Sequence, residues 1–202
     1  MKIAIIGAGG HSKVVAEVAR SAGYEVAFFV ANDKTKHFGL KAISFEEFLK
    51  SPIKTASIAI GNNVARKNVY EELKQNGIEC PALIHTSAVI SPSTKIGEAS
   101  VVMPNTVINA GASIGVGCIV NTAAVVEHDC VIGDFTHISP NTALAGGVSV
   151  GEMSHIGIGA SVIQLIKIGK WCTIGAGAAV ICDISDGVTA VGVPARAIKD
   201  NK

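Results

Sequence analysis

The chain has 202 residues, enough for one large domain or two small ones. Its 17 Lys and Arg nearly cancel its 16 Asp and Glu, so neither a nucleic-acid partner nor an acidic solvating arm is expected. It is 49% hydrophobic but only 4% aromatic; that excludes disorder and points to short strands and tight corners rather than a helical bundle.

Residues 1–80 alternate strand and helix signals. Lys2–Ile6 is an apolar run that stops at Gly7-Ala8-Gly9-Gly10, and an amphipathic helix is expected over His11–Ala22, ending before Gly23. Glu25–Val30 is the second expected strand and Ser57–Ile60 the third, followed by Gly61-Asn62-Asn63 and a helix over Val64–Asn76. The order implies a small parallel α/β sheet. Gly7-x-Gly9-x-x-Ser12 has the spacing of a dinucleotide fingerprint, but Ser12 stands at the third glycine. About 80 residues make half of such a fold, so one nucleotide held at a helix start is expected, and NAD is not.

From Ile84 to Val180 every sixth residue is Ile, Val or Leu without exception. Four residues after each, the side chain is small except at Val148, Ile166 and Ile184. Glycine follows the aliphatic residue at 97, 115, 133, 151, 157, 169 and 175. A period of six makes each hexapeptide one short strand plus a corner, and three of them close a triangular coil of about 18 residues. The aliphatic side chains point inward and stack one strand spacing, ~4.8 Å, apart. The expectation is a left-handed parallel β-helix over residues 81–202, including a C-terminal extension. Residues 99–126 carry no charge and could span a bilayer by length, but Pro104, Asn105, Asn109, Asn121 and three glycines interrupt them, so no membrane insertion is expected. No cleavage-like site follows Ile3–Ile6, so no signal peptide is expected. Five scattered cysteines without a C-x-x-C pair read as reduced thiols, which places the protein in the cytoplasm.

Of the six histidines, His37 reads as solvated and His85 as a structural hydrogen bonder. His137 and His155 are spaced to stack one coil apart, and His128 falls on another edge of the prism. No two histidines lie five residues apart, the spacing expected of a zinc-binding β-helix, so no metal is expected. Glu127-His128-Asp129 is costly to bury inside an apolar coil and is expected to face a groove. There a histidine beside a carboxylate suits a general base; a satisfied core histidine is the alternative. For His137 a structural and a functional role are both open.

Gly-Ala-Gly-Gly-His-Ser at 7–12, Ile-Gly-Asn-Asn at 60–63 with Arg66-Lys67, Ile-His-Thr-Ser-Ala at 84–88, Asn121, Glu127-His128-Asp129, Gly133-Asp134-Phe135-Thr136-His137 and Gly192-Val193-Pro194-Ala195-Arg196 occur in that order. Together they resemble the PglD/NeuD-type sugar O/N-acyltransferases over essentially the whole chain. The resemblance implies a homotrimer whose small α/β domain holds a nucleotide sugar through Gly9, Gly10, His11, Asn32, Asp33 and Asn62, with Asn121 near the sugar. It implies acetyl-CoA in the groove between two β-helices, beside His137, Gly146, Ile158, Gly175, Ala176 and Pro194. His137 would lie near the thioester, and the Gly146 N–H would meet its oxygen. The catalytic histidine carries over to His128 and its partner acid to Asp129, a position that is often Glu in the family.

The implied reaction is N-acetylation of the 4-amino group of a UDP-linked 4-amino-4,6-dideoxy-N-acetylhexosamine, giving UDP-di-N-acetylbacillosamine for glycan biosynthesis and protein glycosylation. Direct transfer is preferred to a covalent step on Cys130, whose place in the repeat is an inward one. Competing readings are O-acetylation of sialic acid or a related sugar, N-acetylation of GDP-perosamine, and a nucleotide-sugar-binding scaffold without activity.

Overall fold

The computed structural model describes residues 1–31 and 37–200; Asn32 and Asp33 lie outside the described residues. The N-terminal region contains β1 (Lys2–Ile6), α1 (Gly10–Ser21), β2 (Glu25–Val30), β3 (Ala42–Ile43), α2 (Phe45–Lys50), β4 (Ala56–Ile58) and α3 (Asn63–Gln75). The strands form one parallel sheet in the order β3-β2-β1-β4. Ile3, Ala4 and Ile5 of β1 are fully buried, as expected of a central parallel strand covered on both faces. Gly7 follows at φ +114°, where an added Cβ would meet the Ala59 carbonyl oxygen at 2.9 Å; that close approach explains the first glycine of the fingerprint.

The third strand is two residues shorter than expected at its C-terminal end, because Ala59 bonds Ile6 only once before the chain turns at Gly61. Two elements add to the sequence reading. β3 is too short to show a period. α2 carries a capping box: Ser44 Oγ accepts from Glu47 N, and Ser44 N donates to the Glu47 carboxylate.

The repeat folds as a parallel β-helix of about six turns. Each residue pairs with the one eighteen further on, as in Ile114 with Ile132 and Val126 with Leu144. Three flat sheets result. The first carries Ile119, His137, His155 and Thr173, the second Val125, Ala143, Ser161 and Ala179, and the third Ser113, Val131, Ser149 and Lys167. The inward aliphatic residues and the small residues four positions on form one continuous core. The small residues do more than fit. Ser100, Thr136 and Ser154 each donate a hydroxyl to the carbonyl fifteen residues later, so a buried polar atom is satisfied at each such corner.

Corner geometry fixes two further columns. Every sixth residue from Ala99 to Gly177 has a φ between +53° and +73° on either Gly or non-Gly, since the corner needs the left-handed backbone region to reach the next face. At 97, 115, 133, 151 and 169, glycine is needed for another reason. An added Cβ at Gly97 would meet Gly115 backbone atoms at 2.6 Å, and one at Gly151 the Lys170 nitrogen at 2.5 Å. There the coils approach too closely for a side chain. Val188–Val191 adds a parallel strand beside Thr173–Ile174 and then pairs antiparallel with Arg196–Asp200.

The N-terminal region sits on the first face. Val15 and Val18 of α1 share a buried cluster with Leu83, Val101, Met103 and Ile119. Outward residues of this face are therefore apolar in the early coils. They turn polar at His137 and His155, where the Asn62-Asn63 turn comes down.

Candidate active site

Glu127-His128-Asp129 forms the corner that follows Val125–Val126. Asp129 holds the left-handed conformation of the corner, φ +61°, and its Oδ2 lies 2.9 Å from His128 Nδ1. An ionised carboxylate only accepts, so Nδ1 carries the proton and donates, and Nε2 of the neutral ring is left as the base. The Asp129 hydrogen bond raises the His128 pKa above its usual value. Asn109 Nδ2 donates to Glu127 Oε2 at 2.8 Å and anchors that second carboxylate.

His128 and Asp129 are both exposed and line a groove of about 330 Å³ with Gly146, Gly147, Gln164 and Leu165. The imidazole lies over Gly146: an added Cβ there would sit 2.5 Å from Nε2. The Gly146 N–H takes no part in the hydrogen bonds between coils. Cys130 is fully buried with Sγ against the Ala145 carbonyl, and burial raises its thiol pKa. It is not presented to the groove.

A second polar group lies between the N-terminal region and the first face. Arg66 is 1% exposed. Its Nε donates to Gly117 O, Nη1 to Ile60 O and Gly61 O, and Nη2 to Asn63 Oδ1 and Phe135 O, over 2.7–3.1 Å. All five acceptors are neutral, and burial lowers the guanidinium pKa to about 10. Asn63 Nδ2 donates to the Met153 and Ser154 carbonyls.

His137 Nε2 accepts from Asn121 Nδ2 at 3.0 Å, Ser139 Oγ meets His155 Nε2 at 3.0 Å, and the two imidazoles stack at 4.7 Å. Burial, then the neighbouring His155 and Arg66, lowers the His137 pKa to about 3. Burial and Arg66 also lower His155 and His11. His11 Nε2 and His137 Nδ1 are buried without a hydrogen-bond partner. Alongside, Asn62, Asn63, Val64, His155, Trp171 and Thr173 line a groove of about 270 Å³.

The expected site residues thus fall into three groups. His128, Asp129 and Gly146 meet in one groove between the second and third faces. Asn121 and His137 are hydrogen-bonded on the first face, where His11 and Asn62 also point. Asn62 spends its side-chain oxygen on capping α3 through Ala65 N. Gly9 is the N-cap of α1 and has no side-chain cap; Gly9 and Gly10 are exposed at the helix start and His11 is half-buried. Ile158 and Ala176 lie one coil apart at the edge between the first and second faces with Gly175 beside Ala176, Pro194 lies in the turn between Val188–Val191 and Arg196–Asp200, and all but Gly175 are exposed. A single chain does not bring His137 to His128, because the two occupy different sides of one prism. Among the described residues no cluster of three His, Cys, Asp or Glu is placed to hold a metal ion, and no helix is long and apolar enough to cross a membrane.

Residues 2–73 match the family model of the PglD N-terminal domain. The acetyltransferase domain of PglB from Neisseria gonorrhoeae superposes with a TM-score of 0.93 at 42% identity, covering 98% of this chain and 99% of that one. The chain belongs to the PglD family of sugar N-acetyltransferases. A His-to-Asn variant of the family's perosamine N-acetyltransferase from Caulobacter crescentus, in complex with CoA and GDP-perosamine, superposes with a TM-score of 0.95 at 40% identity, over 99% of this chain and 98% of that one. UDP-N-acetylbacillosamine N-acetyltransferase of Bacillus subtilis is 43% identical over 113 residues, which span 50% of each chain.

Within this PglD-family fold, sequence reasoning missed the role of Arg66. An arginine in the first turns of a helix reads as solvated, and only the docking of α3 onto Gly117 and Phe135 buries it. Trp171 was missed as well. It stands at a corner position where other coils carry Phe135 and Met153, and nothing in the hexapeptide period distinguishes it.

Proposed function

We propose that this chain transfers the acetyl group of acetyl-CoA to the 4-amino group of a UDP-linked 4-amino-4,6-dideoxy-N-acetylhexosamine, with His128 as general base. The observation that carries the reading is the His128–Asp129 pair, fixed over Gly146 in an open groove. His128 Nε2 faces the groove and accepts the amine proton as nitrogen bonds to the thioester carbon. Asp129 stabilises the imidazolium that forms. The Gly146 N–H supports the developing oxyanion, and the CoA thiolate departs. Both substrates are held at once, so the reaction needs no covalent enzyme intermediate.

The start of α1 at Gly9–His11 suits the diphosphate, since Gly9 and Gly10 are exposed and no side chain caps the helix. Ile158, Ile163, Leu165 and Ile181 are exposed apolar side chains flanking the second face. Their clustering supports a trimer of left-handed helices whose grooves take CoA along Ile158, Ala176 and Pro194. In such an assembly the His137 side of one copy can approach the His128 corner of the next. Support for the UDP sugar comes from the B. subtilis relative; support for the second reading, a GDP-linked 4-amino sugar, comes from the Caulobacter structure.

The test is thiol release from acetyl-CoA with each nucleotide sugar and with no acceptor, on protein whose oligomeric state is measured by light scattering. Fast release with the UDP sugar alone is expected. Release with the GDP sugar alone replaces the acceptor, and no release with either sinks the N-acetyltransferase assignment.

A further inference from the structure

The carboxylate of Asp129 is exposed and could turn freely, yet it points at His128. The residue beneath it, one coil earlier, is Gly111. A Cβ at Gly111 would lie 2.6 Å from Asp129 Oδ1, far inside contact distance. Oδ2 of the same carboxylate holds His128 Nδ1 at 2.9 Å. The two oxygens move together, so displacing Oδ1 displaces Oδ2. The carboxylate is the far end of a short, solvent-facing side chain, so it can swing away at little cost to the fold.

We propose that Gly111 is a positioning residue for the catalytic pair: the missing side chain leaves the space in which Asp129 is aimed at His128. The inference rests on the reading of His128 as general base.

The corner itself does not require glycine. Ala99 and Ala123 hold the equivalent left-handed position at φ +59° and +55°, and Asn105 and Asn141 hold it at +57° and +55°. Backbone strain therefore does not explain Gly111, and its contact with Asp129 does. Gly111→Ala and Gly111→Asn both place a Cβ against Oδ1, and the second uses a residue that tolerates the left-handed region.

The experiment compares Gly111→Ala and Gly111→Asn with Asp129→Asn, and with Gly187→Ala as a control for strain. Gly187 has φ +69° and nothing within 4 Å of an added Cβ. Two quantities are read on the full chain: the His128 imidazole pKa by NMR, and the pH profile of kcat with KM for both substrates. The Asp129 contact raises the His128 pKa, so losing it lowers that pKa and moves the acid limb of kcat to lower pH. At the plateau, kcat falls about tenfold, short of the ~10²–10⁴-fold that losing the base itself would cost, while both KM values hold. Gly187→Ala leaves the His128 pKa and the profile unchanged. A Gly111 variant that folds, with the wild-type His128 pKa and profile, overturns the proposal. If Asp129→Asn also leaves turnover intact, the carboxylate drops out of the mechanism while His128→Ala still tests the base, and the NMR pKa alone still decides whether Gly111 positions the carboxylate.

Discussion

Arg66→Met tests whether a buried cation with no carboxylate partner holds the two halves of the molecule together. The substitution keeps most of the side-chain volume and deletes five donors. It strands the carbonyls of Gly117, Phe135, Ile60 and Gly61 and the Oδ1 of Asn63 in a buried seam. A buried neutral acceptor left unsatisfied costs about 1–3 kcal/mol. Removing the cation also removes its own desolvation penalty, which offsets part of this. With several neutral acceptors stranded and that offset subtracted, the balance is about 3–5 kcal/mol. At this chain length 1 kcal/mol moves the melting temperature by about 2–4 °C, so the loss is about 6–20 °C. Arg66→Lys keeps the charge but cannot fork to both the Gly117 and Phe135 carbonyls, and falls between. Differential scanning calorimetry reads the shift. Amide exchange at Gly61–Asn63 localises it, since this turn is what Arg66 ties to the coils. A methionine variant that melts within 2 °C of wild type, the smallest step expected for 1 kcal/mol, would refute the account of Arg66 as the clamp.

Three other outcomes are expected. His128→Ala removes most turnover while acetyl-CoA affinity, read by calorimetric titration, stays within about twofold of wild type; near wild-type kcat takes His128 out of the mechanism. Stability falls on acidification: unfolded imidazoles titrate near 6.5, whereas His11, His137 and His155 are held lower and His137 at about 3. The unfolded chain therefore binds more protons below pH 6.5. This contribution is complete above 6.5 and is lost as pH falls toward about 3, which melting curves at stepped pH will show, with a shallower slope for His137→Asn. Gly151→Ala forces a Cβ to within 2.5 Å of the Lys170 nitrogen, so the coils must separate; overpacking of about 1–3 kcal/mol lowers the melting temperature by several degrees, and an unchanged temperature would contradict the close-approach explanation of the glycine column.

The hexapeptide rhythm was legible because one inward aliphatic per six residues is a local rule, repeated without a slip from Ile84 to Val180. It determined the eighteen-residue pairing, the inward small residues and the stacking of His137 on His155. The cost of burying Glu127-His128-Asp129 likewise determined that this corner faces outward. The short β3 and the capped α2 were harder: two residues carry no period, and the Ser44–Glu47 signature lies in a stretch with little apolar pattern around it.

What only the tertiary structure decided is how side chains far apart in sequence meet. Gly111 and Asp129 are eighteen residues apart, and their contact depends on two corners stacking in register with one exposed carboxylate lying over the gap. Arg66 becomes buried only when α3 docks on the first face, since its burial belongs to neither partner alone. The shift of His137 to about 3 follows from the same docking, which encloses the imidazole beside Arg66 and His155. Periodicity sets which way a side chain points because backbone geometry is local. It says nothing about burial or proton affinity, which depend on what packs across the gap.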